Sequence, residues 1–401
     1  MRVIADLHIH GPYSRATSKN TSPELLEKYA RMKGLDIIGT GDFTHPKWLE
    51  TLKKSLTEDG TGVLKSSSGF SFMLSGEVAN IYSQGGKLRK VHNVILSPDL
   101  DTVGQINELL GRKGKLASDG RPIFGKMPCT ELVESLMEIN QKIAVIPAHV
   151  WTPWFGVLGS KSGFDSIEEC FQDQSKHIFA IETGLSSDPE MNWRVSSLDG
   201  YALVSNSDAH SYWPWRIGRE ANVFSLNDVS YGSVMSAINE KNPKTFTCTV
   251  EVDPSYGKYH FDGHRGCGVC LSPSESLKKR GKCPKCGKPL TIGVLSRIEE
   301  LADRKEGYVP KNSVPFRKML PLTEILSVSM GTGQMQSKKL WSAYNRLIKR
   351  FGSEFSVLLD ADEHEIEKSS DRKTANIIAM MRSGNMKVEP GYDGVYGKLN
   401  A

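Results

Sequence analysis

The sequence predicts an α/β protein whose larger, N-terminal domain is built on a parallel sheet covered by helices. Short apolar runs alternate with helical patterns through residues 1–245, which is typical of strands joined by helical crossovers. Hydrophobic residues form 38% of the 401-residue chain, enough to bury a large core and leave room for further domains. Four of the seven cysteines lie in one short segment, which predicts a second, metal-binding unit.

Seven apolar runs of the first domain are candidate strands. They cover residues 2–7, 35–40, 70–75, 91–96, 143–147, 179–183 and 202–205. Candidate helices between them include residues 22–32, where Ser22 and Pro23 suit an N-cap and a first turn, and residues 130–141. The carboxyl ends of parallel strands converge on one face, which is where α/β barrels have their active sites.

Metal-binding side chains stand at the ends of these runs. Nine of them are His8, His10, Asp42, His45, Glu77, His92, His149, Asp208 and His210. Residues two apart on a strand face the same side, so His8 and His10 present both imidazoles to one cavity. Six of the ten histidines fall at these junctions. Any one alone is better explained as a core or capping histidine, but the full set predicts a divalent metal centre.

A metal centre of this kind predicts phosphoester hydrolysis. Two divalent ions held close together lower the pKa of a water molecule and stabilise charge on a phosphoryl group. Arg15 and Arg216 lie near ligand motifs in the sequence and are candidates to clamp phosphate oxygens. An ordinary surface position is the equally weighted alternative for each arginine.

Large aromatic side chains directly follow two of the metal motifs. Trp151 and Trp154 follow one motif, and Trp213 and Trp215 follow another. Packing between loops would explain each ring singly, whereas the cluster suits stacking on nucleobases. A nearby polar segment is a candidate pocket for one extruded base; its residues are Glu182, Ser186 and Ser187, followed by Trp193.

The cysteine-rich segment predicts a zinc ribbon over residues 246–292. Two CxxC pairs, Cys267 with Cys270 and Cys283 with Cys286, have the spacing of a structural tetrahedral zinc site. A redox role is the weaker alternative, because the flanks are turn-like rather than part of a βαβ unit. Lysines and arginines of the segment are candidates to touch a phosphate backbone, with a solvated basic loop as the alternative.

The pattern of residues 293–384 predicts a helical, DNA-binding region that resembles a helix-hairpin-helix. Gly331 and Gly333 would let backbone amides approach a phosphate at a helix start, close to Lys338 and Lys339. Between residues 311 and 350 there are eight lysines or arginines against one acid. Residues 385–401 predict a C-terminal loop.

The nine candidate ligands resemble those of the polymerase and histidinol phosphatase (PHP) superfamily. The resemblance implies a distorted seven-stranded barrel that holds two or three divalent ions, with zinc, manganese and magnesium as candidates. It implies that Glu77 bridges two ions, that His8, His10 and Asp208 hold one, that His92 and His149 hold the other, and that His45 and His210 help to hold a third. Many members have Asp or His shortly after the first pair, where this chain reads Pro12-Tyr13-Ser14-Arg15, so Asp42 is the candidate replacement. The candidate catalytic residues are Asp208, Glu77, His210 and Arg15.

The order of barrel, ribbon and basic helical region resembles the endonuclease Q family over nearly the full chain. The segment His260-Phe261-Asp262-Gly263-His264-Arg265 and residues 390–397 are part of the resemblance. It implies cleavage of double-stranded DNA on the 5′ side of a deaminated base (hypoxanthine, uracil or xanthine) or of an abasic site. A sliding clamp is a candidate further partner, through a short peptide such as Gln334-Met335-Gln336.

Three other functions stay open from the sequence. One is a phosphatase acting on small phosphomonoesters, which would share the ligands but have no use for the ribbon and helices. The second is a 5′–3′ nuclease of the same superfamily, and the third is a non-catalytic binder of damaged DNA, against which the complete ligand set speaks. Because we find neither a secretory signal nor an apolar run of membrane-spanning length, we expect a cytoplasmic protein with no membrane partner.

Overall fold

The computed structural model describes residues 1–400. The strands of its larger part are β1 (Arg2–Asp6), β2 (Ile37–Gly39), β3 (Thr57–Glu58), β4 (Leu64–Lys65), β5 (Ser71–Met73), β6 (Ser75–Gln84), β7 (Lys87–Leu96), β8 (Ile123–Gly125), β9 (Ala144–Pro147), β10 (Ala180–Glu182), β11 (Ala202–Val204), β12 (Ala221–Ser225) and β13 (Phe246–Glu251). The helices of this part are α1 (Pro23–Lys33), α2 (Pro46–Ser55), α3 (Leu100–Lys113), α4 (Cys129–Ile139), α5 (Ile167–Phe171), α6 (Pro189–Asn192) and α7 (Tyr231–Glu240).

The remaining chain forms a small cysteine-rich unit and a helical unit. Their elements are β14 (Asp262–His264), β15 (Val269–Leu271), α8 (Pro273–Lys278), α9 (Val294–Leu301), β16 (Phe316–Lys318), α10 (Leu322–Ser329), α11 (Lys338–Phe351), α12 (Glu363–Ser369), α13 (Arg372–Arg382), β17 (Lys387–Glu389) and β18 (Lys398–Asn400). In the described part, residues 1–400, we find no helix with both the length and the apolar character needed to cross a bilayer.

The predicted α/β class is confirmed, and each of the seven candidate strands overlaps an observed one. β1, β2 and β5 pair in parallel, as expected. The expectation of an all-parallel sheet is wrong, because β6 and β7 form a long antiparallel hairpin that joins β8 and β9. Gly85 and Gly86, at φ 59° and 72°, make the tight turn between these two strands.

The strands lie in separate sheets rather than in one closed ladder. The largest has the order β16-β13-β12-β1-β2-β5-β4-β3, and β10 pairs with β11 alone. Isolated contacts span the gaps: the Val150 amide donates to the Glu182 carbonyl at 3.0 Å, and the His10 amide donates to the Ala209 carbonyl at 2.9 Å. Within residues 1–400, no continuous ladder therefore closes the barrel implied by the resemblance.

Local capping explains where α1 begins and ends. The Ser22 side chain accepts from the Leu25 amide, Pro23 occupies the first turn, and Gly34 ends the helix at φ 95°. The predicted N-cap is therefore confirmed. The last residue of α1, Lys33, then points toward the helical unit.

The predicted boundary at residue 245, between the larger domain and the ribbon, does not match the pairing of the strands. β13, which begins at Phe246 in the segment predicted as ribbon, pairs with β12 of the large sheet. β16, from the segment predicted as helical, pairs with β13. The ribbon proper is therefore confined to the β14–β15 hairpin and the residues after it.

A buried ion pair and an aromatic cluster join the helical unit to α1. Lys33 Nζ lies 2.7 Å from Glu354 Oε1, and both side chains are at most 1% exposed. The Tyr344 hydroxyl and the Leu322 amide also donate to Glu354. Rings from both units pack beside this pair; they are Tyr29, Tyr212, Trp213, Trp215 and Trp341.

Replacing Glu354 by alanine is expected to destabilise the protein strongly. The substitution leaves the buried Lys33 ammonium with the Pro214 carbonyl and the face of the Phe355 ring as neighbours but without a counter-charge, and an uncompensated buried charge costs about 3–5 kcal/mol. A fall in the midpoint of thermal unfolding measures the effect. Glu50→Ala, which breaks the exposed pair with Lys54, is the control and should leave the midpoint unchanged. Equal midpoints for both variants would show that the buried Lys33–Glu354 pair does not stabilise the protein more than an exposed pair does.

Candidate metal centre

The Glu77 carboxylate lies at the middle of the site, between two groups of histidines. One oxygen, Oε1, is 2.9 Å from His92 Nδ1 and 3.1 Å from His149 Nε2. The other, Oε2, is 3.3 Å from His10 Nε2 and 3.7 Å from His8 Nε2. Each oxygen of Glu77 therefore faces a different group.

The two groups have the composition of metal sites. In each, the candidate ligand atoms lie within 4.8 Å of one another. The groups are His8, His10, Glu77 and Asp208, and Glu77, His92 and His149. His8 Nε2, His10 Nε2 and Asp208 Oδ1 are buried and have no hydrogen-bond partner among residues 1–400. Because buried polar atoms are almost always paired, these three atoms fit a bound cation.

Strand geometry brings these ligands together. His8 and His10 follow β1 with the two-residue spacing that places them on one face. Glu77 and His92 lie on adjacent strands of the β6–β7 hairpin, where His92 pairs with Ala79, two residues beyond Glu77. The two therefore share a face of the hairpin.

Three residues of the centre have left-handed backbone conformations. The φ angles are 47° at Asp42, 33° at His149 and 47° at Asp208. Each residue follows the end of a strand, and the turn directs its side chain into the site. Such conformations cost about 1–3 kcal/mol for a residue other than glycine, so the surrounding packing must offset this strain.

A second layer of carboxylates orients the histidines. His8 Nδ1 lies 3.0 Å from Glu182 Oε1, and His10 Nδ1 lies 2.9 Å from Asp42 Oδ1. Hydrogen bonds at Nδ1 leave each Nε2 free to bind a metal. Asp42, predicted as a direct ligand, therefore lies behind His10. Glu182, predicted as part of a base pocket, lies behind His8.

Burial and neighbouring charges compete at the histidines, and the pKa values of His8 and His92 shift in opposite directions as a result. Burial alone would lower the pKa of His8, but the neighbouring charges of Glu182 and Glu77 outweigh it and raise that pKa well above its usual value. At His92 burial dominates and lowers the pKa to about 4. His92 is therefore neutral near pH 7, the protonation state in which imidazole binds a metal.

The central carboxylates are held in their charged form. Burial would raise the pKa of Glu77, but its close contacts with His92 and with the charged Arg121 lower it well below its usual value. Burial acts in the same direction on Asp208, but its close contact with His10 and the charge of His8 lower that pKa below its usual value. The buried site thus contains two ionised carboxylates, Glu77 in both groups and Asp208 in the first, which favours divalent cations.

The structure does not assemble the third metal site. His45 stacks on Tyr13 at 4.1 Å between ring centroids. His210 lies at the edge of the first group, with its ring 4.6 Å from that of His10 and Nδ1 2.9 Å from the Asp208 carbonyl. Within residues 1–400, neither histidine belongs to a group of three or more candidate ligands.

The arginine that contacts the centre is not one that the sequence indicated. Arg15 and Arg216 are exposed, and within residues 1–400 neither forms an ion pair with the candidate ligands. Arg121 does: its Nη1 lies 2.9 Å from Glu77 Oε2. Arg121 stands in a loop without a motif, so no local pattern could have indicated it.

Most of the tryptophans predicted to stack on bases are packed inside the protein. Trp151 is fully buried and its Nε1 donates to Asn192 Oδ1 at 2.8 Å. Trp193 is 9% exposed and packs edge-on against Phe316. Neither ring is accessible to a base in this structure.

The second tryptophan pair supports the domain interface instead. Trp213 and Trp215 stack on each other with centroids 4.8 Å apart, and both pack against Trp341 of α11. Trp154 differs, because it is 44% exposed and touches only the edge of Tyr259 among aromatic rings of residues 1–400. Of the five predicted tryptophans, Trp154 is the one available to DNA.

The two serines of the predicted base pocket have different environments. Ser187 is buried, and its hydroxyl donates to the Thr183 carbonyl and accepts from Asn192, which is a structural role. Ser186 Oγ is buried with no hydrogen-bond partner in the described residues. Ser186 therefore remains a candidate for substrate contact.

The ribbon brings together His264, Cys267, Cys283 and Cys286, and not the four predicted cysteines. Cys270 lies in β15, with its Sγ 3.8 Å from the Pro390 carbonyl. Turn geometry explains the exchange: Gly268 after Cys267 and Gly287 after Cys286 have φ of 60° and 74°. The two turns that bring these four residues together thus have the patterns HxxCG and CxxCG. The sequence pattern of two CxxC pairs hid this, because Cys270 has no glycine after it.

The helix-hairpin-helix candidates lie in the exposed loop from α10 to α11. The Gly331 amide donates to the Val328 carbonyl at 3.3 Å, so it is not free to approach a phosphate. Gly333 is exposed, and Lys338 and Lys339 are exposed in the first turn of α11, which Ser337 caps. The two lysines remain candidates for contact with a DNA backbone.

The α/β fold and the paired ligand groups define a metal-dependent hydrolase, and comparisons with known proteins specify its family. The crystal structure of the lesion-specific endonuclease PfuEndoQ from Pyrococcus furiosus is 32% identical, with a TM-score of 0.89 over 100% of this chain and 95% of that chain. The chain therefore belongs to the endonuclease Q family of metal-dependent DNA endonucleases. A structure of endonuclease Q with a 27-mer duplex bearing an abasic lesion at the active site matches equally, with a TM-score of 0.88, 32% identity and coverage of 100% and 96% of the two chains.

Two sequence relatives and one family model also match this chain, over different lengths of it. The uncharacterized protein YqxK of Bacillus subtilis is 28% identical over 99% of both chains. The uncharacterized protein MJ0043 of Methanocaldococcus jannaschii is 35% identical over 62% of this chain, which spans only 31% of that protein. The family model of the MJ0043 C-terminal domain matches residues 321–385, which contain α10 to α13.

Removing His264 is expected to release the ribbon metal, whereas removing Cys270 is not. We expect about one zinc in the ribbon of the wild-type chain, because three thiolates and one imidazole complete a tetrahedral structural site. His264→Ala should bind substantially less zinc, and Cys270→Ser should keep the wild-type content. Zinc per chain, measured by mass spectrometry after dialysis against a weak chelator, tests both. Loss of zinc from Cys270→Ser with retention in His264→Ala would restore the four-cysteine assignment.

Proposed function

We propose that this endonuclease hydrolyses the phosphodiester on the 5′ side of a deaminated base or an abasic site in double-stranded DNA. The observation that carries the proposal is the pair of ligand groups sharing Glu77, in a chain that matches a lesion-specific endonuclease along its whole length. The abasic site is supported by the duplex in the structure of a relative. Hypoxanthine, uracil and xanthine are the further substrates we propose.

The residues of the centre have separate roles in this reaction. Divalent ions bound there would activate a water molecule and stabilise charge on the phosphoryl group, with zinc, manganese and magnesium as candidates. His8, His10 and Asp208 would hold one ion, His92 and His149 another, and Glu77 would contact both. The unpartnered Nε2 and Oδ1 atoms of the first group support this assignment.

The second layer of residues orients the ligands and limits their movement. Asp42 accepts from the Gly11 amide and the Ser14 hydroxyl with the oxygen that does not face His10. It therefore holds His10 in one orientation. Glu182 accepts from the His149 amide and from Asn206 as well as contacting His8, so one carboxylate aligns ligands of both groups.

We propose that Trp154 contacts the nucleotides beside the lesion. Its ring is 44% exposed on the loop that follows the ligand His149, and it makes a T-shaped contact with Tyr259. A damaged or mispaired nucleotide is the least costly to extrude from a duplex, and an aromatic ring can stack in the space it leaves.

No observation favours the other functions over this one. The structural match extends through the ribbon and helical units, which a phosphatase for small phosphomonoesters would not need, and the ligand groups speak against a purely binding role. A sliding clamp has no support from the structure, although Gln334-Met335-Gln336 lies in the loop between α10 and α11.

Asp208→Asn is expected to lower the rate of nicking by about 10³-fold or more. The substitution removes a ligand charge, and a cation at such a site stabilises the transition state by several kcal/mol. The measurement uses end-labelled duplexes bearing one abasic site, inosine or uracil, with Mg²⁺ or Mn²⁺. Asp173→Asn, at an exposed carboxylate away from the centre, should nick at the wild-type rate. Full activity of Asp208→Asn, or equal cutting of undamaged duplex by the wild type, would contradict the proposal.

Trp154→Ala is expected to raise the KM for a lesion-bearing duplex about 10-fold, with a smaller change in kcat. Stacking of a base on an aromatic ring contributes about 1–3 kcal/mol, and the ring lies outside the ligand groups. Tyr308→Ala removes a similarly exposed ring, 42% accessible, that packs against Arg304, and should leave the KM unchanged. If both variants behave alike, Trp154 has no specific role in DNA binding.

A further inference from the structure

We propose that Arg121 binds a non-bridging oxygen of the scissile phosphate and is thus a catalytic residue of this enzyme. The inference rests on the proposed function and assigns a substrate-contacting residue to the same site. Arg121 stands in the loop between α3 and β8, outside the motifs that supply the ligands.

The backbone of this loop is fixed against the centre. The Gly120 amide donates to the Tyr13 carbonyl at 3.2 Å, and the Thr44 hydroxyl donates to the Gly120 carbonyl at 3.1 Å. A Cβ atom at Gly120 would collide with the carboxylate of Asp42. Only glycine therefore allows the loop to approach so closely, and the approach determines where the next side chain begins.

The Arg121 side chain extends from the solvent to the buried ligands. Its Nη1 contacts Glu77 Oε2, the oxygen that faces His8 and His10. The Arg121 side chain is 25% exposed, whereas that of Glu77 is 0% exposed. Arg121 thus links the solvent-exposed surface to the buried ligand groups.

Arg121 also has unused hydrogen-bonding capacity. A guanidinium has five N–H donors in a planar fork that matches the oxygens of a phosphate. In the described residues one contact, that with Glu77, engages its side chain. The other donors are available to a substrate.

Metal binding would change the partner of Arg121. Burial would lower the pKa of Arg121, but the carboxylates of Glu77, Asp208 and Asp119 attract the guanidinium and raise that pKa above its usual value. If both ligand groups held cations, Glu77 and Asp208 would be shared with those cations, and like charges would repel the guanidinium. The scissile phosphate is the anion that arrives at the same place, and it can replace Glu77 as the partner of Arg121.

The test compares Arg121→Ala and Arg121→Lys with Arg112→Ala, an exposed arginine of α3 paired with Glu108. Single-turnover nicking is measured on duplexes bearing one abasic site, with oxygen or with each phosphorothioate diastereomer at the scissile phosphate. Hydrolysis of bis(p-nitrophenyl) phosphate gives a second readout that needs no lesion. Calorimetric titration with Mn²⁺, without DNA, reports on the ligand groups themselves.

We expect Arg121→Ala to nick about 10²–10³-fold more slowly, as when one preorganised donor to a transition state is removed. One diastereomer should slow the wild type and lose that extra effect in Arg121→Ala. Arg121→Lys should recover part of the rate, and Arg112→Ala should match the wild type. Mn²⁺ affinity should be unchanged or higher in Arg121→Ala, because a competing cation is gone.

Two results would overturn the inference. One is an unchanged rate of diester hydrolysis in Arg121→Ala. The other is a weakened Mn²⁺ affinity with the phosphorothioate effect intact, which would make Arg121 a support for Glu77 only. A wild-type protein that hydrolyses bis(p-nitrophenyl) phosphate but nicks no lesion would contradict the proposed function, while the small diester would still test Arg121.

Discussion

The buried charge of Glu77 is the constraint on which the rest of the centre depends. A carboxylate removed from water is costly unless cations and hydrogen-bond donors surround it. Four imidazoles and one guanidinium do so here, and they come from different parts of the chain. The hairpin of β6 and β7 supplies the carboxylate and one imidazole on one face, and the tight Gly85-Gly86 turn sets that register. The other imidazoles, at the ends of other strands, then surround the Glu77 carboxylate that this hairpin holds in place.

The sequence was sufficient to predict seven of the strands and most ligand types, because both depend on local patterns. Apolar runs located the seven strands, and the alternation of side chains on a strand placed His8 beside His10. The sequence was not sufficient to distinguish the residues that face the metal sites from the carboxylates that hydrogen-bond to the ligand histidines. Asp42 and Glu182 have the same chemistry as Glu77, and only tertiary distances show that they contact imidazole Nδ1 atoms instead.

Two other differences between the sequence-based predictions and the structure also arise from three-dimensional packing. The pairing of cysteines by sequence spacing overlooked His264, since the turn is set by the glycine that follows the ligand rather than by the ligand alone. Tryptophans beside a metal motif suggested base stacking, yet Trp213 and Trp215 support the contact with α11. Sequence proximity to a site does not specify which way a ring faces. No sequence motif marks Arg121, because its position depends on a loop that lies against Asp42, and only glycine at position 120 allows that approach.

The contact between α1 and the helical unit limits how this chain could have been assembled from modules. Lys33 belongs to the larger unit and Glu354 to the helical one, and in their buried contact each charge compensates the other. A recombination event that brought in either unit alone would leave an unmatched charge and a row of uncovered aromatic rings. The two units must therefore be inherited together, or the joining residues must change at the same time on both sides.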